Sequence, residues 1–384
     1  MFASLLVVAL IGAIAWAGSA VGLSYLFGVV LPYVAVVTFF LGVIWRMVYW
    51  AKSPVPFSIP TTGGQEKSLD FIKQEKWDCP NTKFGVVVRM FLEVCFFRSL
   101  FRNTAADVRE FDPVNKGPRT IYYSSKWLWF FALLFHYCFL LVFIRHFRFF
   151  MDPVPGWLTF MESIDGIMQI GSPRFYWTGG LLLVAVLFLL ARRLFNQRLR
   201  YISLMNDYFP LLLILGIVLS GICMRYFDKT DIAQVKVFIM GLVHFSPVAP
   251  DGISPLFFMH LTFVSVLLLY FPFSKLMHMP GVFFSPTRNL PTNTREVRHV
   301  NPWNPPKQYF TYAEYEDVYR DAMAEAGLPL EKAIAAAGTF EVSRERYDEF
   351  NVDGRKAILM LTKQNPVSLD QNIAYVLTKE SPKT

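Results

Sequence analysis

Long apolar runs separated by short polar stretches dominate the first 280 positions of the chain. From Met1 to Trp45 there is no Asp, Glu, Lys or Arg. As one helix this stretch would rise roughly 68 Å, about twice the bilayer core, so it must fold back on itself. Gly18, Ser19, Ala20 and Gly22 offer a small-residue turn between an apolar segment at 2–17 and a fuller one at 25–49. The first segment lacks the basic start of a secretory leader and a second apolar segment follows at once, so it is read as a retained helix rather than a signal peptide. Four more apolar segments lie at 127–147, 177–194, 208–224 and 256–276, each long enough to span a bilayer with modest tilt. The pattern predicts an all-α integral membrane protein, a bundle of about six transmembrane helices.

The remaining pieces are too polar to span. Residues 84–101 interleave Val, Met, Leu and Phe with Arg89, Glu93 and Arg98, as expected of a helix lying in the membrane interface or against a partner subunit. After Pro280 the composition turns polar, and 311–326 and 328–337 read as helices of a tail without a catalytic motif. The organisation expected is N-terminal transmembrane helices at 1–50, a connection with the interfacial helix at 51–122, four helices within 123–279, and a partner-docking tail at 280–384.

Composition agrees with the pattern. With 54% of residues hydrophobic and 17% charged, an ordinary soluble domain is excluded, and 17% aromatic residues suit a bundle that faces lipid and packs against something large and flat. The net charge of +8 implies no nucleic-acid partner, because the basic residues gather beside apolar segments. The connection from Lys52 to Arg119 and the loop with Arg192, Arg193, Arg198 and Arg200 are basic, whereas 151–172 has no Lys or Arg and carries Asp152, Glu162 and Asp165. The bias places the first two in the cytoplasm and the third outside. Segments 127–147 and 256–276 must then run antiparallel. The cysteines, Cys79, Cys95, Cys138 and Cys223, are too scattered for a C-x-x-C pair, so no iron–sulfur cluster is encoded.

Four of the six histidines, His136, His146, His260 and His278, fall in or at the ends of those two antiparallel segments. Imidazoles in a spanning segment are costly and normally face the bundle interior. Antiparallel order sets His136 at the depth of His278 and His146 at the depth of His260. Two facing imidazoles are what bis-histidine ligation of haem b requires, so two haems b, each held by one pair, are expected. The separations differ: ten residues give roughly 15 Å of helical rise and eighteen give roughly 27 Å, with Pro272 placed to kink the second helix. Arg145 and Arg148 flank His146 as candidate partners for haem propionates, with snorkelling helix-end arginines as the alternative, and Arg225 ends another segment. His244 and His299 lie outside the spans, with His244 a lesser candidate for quinone contact.

A ten-residue histidine pair on one helix and an eighteen-residue pair on a later antiparallel one resemble the dihaem cytochrome b of respiratory nitrate reductase, its gamma subunit. The likeness covers 25–279, in helix order and in all four ligands. The added N-terminal helix and the stretch 53–69 are more similar to the membrane cytochrome b of the sulfite-reduction-associated Dsr MKJOP complex, with the cytochromes b of the Tmc and Hme complexes next. The resemblance implies a five-helix core plus an N-terminal helix in the cell's inner membrane. It also implies electron transfer between menaquinone and a partner complex in dissimilatory sulfur respiration. The partners implied are an iron–sulfur subunit similar to heterodisulfide reductase on the cytoplasmic side and a multihaem cytochrome c on the other. A reading from another class, a transporter or proton channel with a histidine relay, would want Asp or Glu inside the apolar segments, and they contain none.

Overall fold

The computed structural model describes residues 1–53, 64–102, 105–112, 117–166, 173–247, 252–297, 309–328, 330, 341–343, 347–352 and 355–360. The chain divides into two compact units, Met1–Asn301 and Pro302–Thr384.

The first unit is helical. Helix α1 (Phe2–Ala20) turns at Gly22, whose φ of +96° suits glycine, into a π-helical turn (Leu26–Val30) that continues as α2 (Leu31–Ala51). Helix α3 (Lys83–Phe96), capped by Thr82 accepting from the Gly85 N–H, ends at left-handed Phe97 and resumes as the single turn α4 (Arg98–Phe101). An antiparallel hairpin follows, β1 (Ala105–Asp112) with β2 (Gly117–Tyr123), Ala105 opposite Tyr123. Helix α5 (Lys126–Arg145) passes into a 3-10 turn (His146–Phe149), and α6 (Gly156–Asp165) precedes α7 (Trp177–Phe195), α8 (Gln197–Ile202) and α9 (Met205–Cys223). Helix α10 (Ile232–Val243) precedes α11 (Pro255–Tyr270), which starts on a Ser254 cap with proline in its first turn, and α12 (His278–Gly281) comes last. In the second unit β3 (Tyr309–Thr311) leads into α13 (Tyr312–Glu325) through a Thr311–Glu314 capping box. Strand β3 pairs antiparallel with β4 (Glu341–Ser343), and β5 (Tyr347–Val352) with β6 (Arg355–Met360). Most of the expected helix at 328–337, and most of the stretch 53–69, lie outside the described residues.

Among the described residues six helical segments are long and apolar enough to cross a membrane: Phe2–Ala20, Leu26–Ala51, Lys126–Phe149, Trp177–Phe195, Met205–Asp228 and Pro255–Phe273. The protein is therefore a multi-pass membrane protein whose membrane part is all-α. Helix α10 is apolar but, at 12 residues, too short to span. Side chains such as Phe40, Leu41 and Ile44 on α2 stand more than half exposed, an arrangement that water would penalise and hydrocarbon matches.

Side-chain contacts give the helix order. Helix α5 lies on α7, with Phe131 and Phe188 stacked at 3.8 Å, α7 lies on α9, and α9 lies on α11, with Phe209 and Tyr270 at 5.0 Å. Helix α11 also packs against α1 and α2. Its neighbours pack closely: a Cβ on Gly28 would stand 2.8 Å from Phe258. Helix α2 runs parallel to α11, since Gly28 meets Phe258 and Phe39 meets Phe271, whereas α9 runs antiparallel to it.

The helix carrying His260 does not continue to His278, contrary to the expected eighteen-residue helical spacing. Helix α11 ends at Tyr270, Phe271–Phe273 form a 3-10 turn, Ser274 is extended at φ −117° and ψ 179°, and Lys275–Met277 form another 3-10 turn before α12. The cause is Pro272, which has no N–H to donate and crowds the preceding turn. Ser274 caps the next turn by accepting from the Leu276 N–H at 3.1 Å.

On the opposite side of the connection, Arg89 of α3 is buried and fastens residues that follow the last span. Its Nη2 donates to the carbonyls of Arg288 (2.6 Å) and Leu290 (2.7 Å), its Nη1 to that of Asp78 (3.0 Å). The Thr292 N–H donates to the Pro80 carbonyl at 2.7 Å, and Lys67 pairs with Glu296 at 2.8 Å. Desolvation lowers the Arg89 pKa, and a guanidinium is basic enough to stay charged. One face of the same helix, Phe84, Val87, Phe91 and Val94, is exposed, and its far end reaches α5, where Tyr137 donates to the Cys95 carbonyl at 2.9 Å.

Replacing Arg89 by Met would keep the bulk and leave three backbone carbonyls without their donor. At roughly 1–3 kcal/mol for the buried Asp78 carbonyl left unsatisfied, and less for the partly buried carbonyls of Arg288 and Leu290, the variant should unfold at a lower temperature in detergent and become sensitive to protease at residues 285–297. An unchanged midpoint and unchanged cleavage would show that Arg89 does not fasten this segment.

Candidate functional site

The four histidines meet in two pairs. The rings of His136 and His278 stand 6.0 Å apart, centroid to centroid, at 90°, and those of His146 and His260 stand 6.4 Å apart at 13°. The helix break explains how both pairs form. From His260 to Tyr270 is ten residues, as from His136 to His146, so α11 and α5 cover the same roughly 15 Å. The turns after Pro272 then carry His278 to the level of His136 without the further rise that a continuous helix would impose.

Each ring is held through one nitrogen. Nδ1 of His136 donates to the Ala132 carbonyl at 2.7 Å, that of His146 to Val142 at 2.6 Å, and that of His278 to Lys275 at 3.0 Å. Nδ1 of His260 lies 2.8 Å from the Ser220 hydroxyl oxygen. Ser220 donates its proton back along its own helix, to the Gly216 carbonyl at 2.7 Å, so His260 is the donor in that contact. All four rings therefore carry their proton on Nδ1 and keep the Nε2 lone pair for another partner.

The spacing would admit one metal atom between the rings of each pair. Imidazole nitrogens about 2 Å from a central atom on both sides, plus the ring radius at each end, require roughly 6.4 Å between centroids. Helices α5 and α11 do not pack extensively on each other, being linked through α7 and α9, so the pairs face one another across a gap rather than through a helix contact. Phe97 and Phe135 lie edge-on to the His136 ring at 5.0 Å each, and Phe149 flanks His146 at 6.0 Å. Among the described residues no group of three or more His, Cys, Asp or Glu gathers in the manner of a protein-only metal site.

Both arginines beside His146 meet acidic partners that sequence reasoning had read as topology charges. Arg148 Nη1 donates to both Glu162 carboxylate oxygens at 3.1 Å. Arg145 Nη1 lies 3.0 Å from Asp165 Oδ2, near enough for an ion pair but misaligned for a hydrogen bond, and its Nε and Nη1 stay buried without a hydrogen-bond partner. Asp165 accepts instead from the Thr178 N–H and hydroxyl at 2.9 and 2.6 Å. The Tyr176 ring has Arg145 at 4.0 Å and Arg225 at 4.3 Å from its centroid. Helix α6, which supplies Glu162 and Asp165, lies in a stretch that the sequence presented only as an acidic loop. Ser220 and Tyr176 were missed for a similar reason: neither has a spacing that ties it to a histidine. His244 ends α10 with its Nδ1 on the Met240 carbonyl, apart from both pairs, and His299 lies outside the described residues.

Residues 114–299 match the nitrate reductase gamma subunit family. A Hdr-like menaquinol oxidoreductase cytochrome b-like subunit of Archaeoglobus fulgidus is 48% identical over 288 residues, 73% of this chain and 84% of that protein. The protein of the same description from Archaeoglobus profundus is 42% identical over 282 residues, 72% of this chain and 82% of that protein. The respiratory nitrate reductase 1 gamma chain of Escherichia coli is 29% identical over 160 residues, 39% of this chain and 69% of that protein.

Asp165→Asn should expose how far the outer end depends on its ion pair. The Arg145 and Asp165 side chains are only 13% and 9% exposed, so removing one charge strands the other at about 3–5 kcal/mol. Glu162→Gln faces a more exposed arginine and should cost about 1 kcal/mol or less. Thermal unfolding in detergent distinguishes them, and equal midpoints for the two variants would contradict the buried-pair account.

Proposed function

The chain belongs to the family of the Hdr-like menaquinol oxidoreductase cytochrome b-like subunits, with a nitrate reductase gamma-subunit domain at 114–299, and on that premise we propose that it is a dihaem cytochrome b passing electrons between menaquinol and a partner complex. The observation that carries the reading is the two histidine pairs, each with both Nδ1 atoms engaged and the rings spaced for one metal atom. His136 and His278 would hold one haem b, and His146 and His260 the other. Haem b, when bound, supplies a one-electron carrier at each of two depths of the membrane. The protein's part is to fix both rings by their Nδ1 hydrogen bonds, to surround them with Phe97, Phe135 and Phe149, and to keep water out. Arg145, with buried donors left over, is the better propionate partner, since Arg148 already spends its Nη1 on Glu162.

The Archaeoglobus relatives support a menaquinol-linked electron-transfer subunit of an Hdr-like complex. We assign the finer features to the same reading: a place in dissimilatory sulfur respiration, an iron–sulfur subunit similar to heterodisulfide reductase on the cytoplasmic side, a multihaem cytochrome c on the other, and residence in the cell's inner membrane. The distribution of Lys and Arg supports this sidedness. The second unit, polar and without a cysteine among its residues, suits docking rather than electron relay.

The purified chain should contain two haems b, as counted by a pyridine haemochrome assay against protein concentration, and menaquinol should reduce them. One haem per chain would mean that one histidine pair is structural, and none would end the proposal.

A further inference from the structure

Arg46 is the first charged residue of the chain and lies inside the apolar span Leu26–Ala51. A guanidinium at such a place normally finds an anion or reaches water. Among the described residues Arg46 has neither an ion pair nor a hydrogen bond: its Nε is buried without a partner, and the Trp50 ring centroid lies 5.4 Å from its Cζ. Arg145 and Arg148, at the other end of the bundle, have carboxylates within 3.1 Å.

Its position follows from contacts on either side. One turn before it, a Cβ on Gly42 would stand 2.7 Å from Pro272. One turn after it, Trp50 lies 3.4 Å from where a Gly281 Cβ would be, and packs with Phe284 at 6.0 Å. Residues four apart share a helix face, so the face bearing Gly42, Arg46 and Trp50 runs along the chain from Pro272 to Phe284. Midway between the two contacts, Arg46 is level with the turn leading into His278.

We propose that Arg46 is a positioning residue for the haem held by His136 and His278, pairing through its unpartnered donors with a propionate carboxylate. The inference rests on the dihaem reading above. It needs no new backbone arrangement: the guanidinium is already present at that depth without an anion, and a charge-assisted, bidentate carboxylate contact is the partner its fork geometry fits. A positive charge beside a haem favours electron uptake, so Arg46 would raise the potential of that haem and leave the other unchanged. A lipid phosphate is the other anion of matching chemistry, and it would leave both potentials indifferent to the residue.

The test compares Arg46→Gln and Arg46→Lys in the full-length chain by redox titration of the haem spectrum, with His278→Ala identifying the component that belongs to His136 and His278. The glutamine variant should lower the midpoint potential of that component alone, or lose that haem alone, and lysine should restore most of the original value. Two unshifted potentials, or equal shifts in both, would overturn the proposal and favour a lipid phosphate. Should the glutamine variant fail to accumulate, the redox-difference infrared spectrum of Arg46→Lys decides, a displaced propionate band supporting the proposal and an unchanged band refuting it. If the unmodified chain contains no haem b, the dihaem reading fails instead.

Discussion

Matching the two histidine pairs in depth depends on where helix α11 stops. Two straight antiparallel helices can bring together only residues whose separations along each are equal, and ten residues on one cannot pair with eighteen on the other. Pro272 removes the conflict by denying the helix an N–H and crowding its last turn, so that the chain spends the remaining residues on tight turns instead of rise. Ser274 then re-caps the chain, and His278 receives its own Nδ1 partner from the Lys275 carbonyl at 3.0 Å. Three rings are held by carbonyls of their own turn and His260 by Ser220 of α9, so each ring is oriented through its Nδ1 by the protein itself.

The rest of the bundle serves to hold α11 in place. Helices α1, α2 and α9 pack on it at close range; Gly12 and Gly28 face its side chains, and Gly42 faces Pro272 in the turn that follows it, at distances that leave no room for a methyl group without adjustment. Between helices in lipid there is little hydrophobic drive, and close packing through small residues takes its place. Helix α5 is attached differently, through α7 on one side and through Trp129 and Tyr137, which donate to the Phe96 and Cys95 carbonyls at the end of α3. That end also places Phe97 against His136.

Much of this could be read from the sequence. Six apolar segments gave the spans within a few residues, and charge asymmetry gave an antiparallel order from which the grouping of the four histidines by depth followed. The spacing mismatch between the pairs was visible, and so was Pro272, but not that the helix would end there, because a proline can kink a helix as readily as terminate it. The short helices α6 and α10 were hidden inside loops that charge counting treats only as inside or outside. Ion pairs such as Arg145 with Asp165, and the Arg89 contacts across 199 residues, join positions that no periodicity connects. The β1–β2 hairpin was missed because its strands lack a sustained apolar alternation.

Under the proposed function His136 and His278 hold one haem and His146 and His260 the other. Redox-difference spectra of the four single His→Ala variants test it directly. His136→Ala and His278→Ala should delete the same spectral component, and His146→Ala and His260→Ala the other. Loss of one and the same component in His136→Ala and His260→Ala would contradict it.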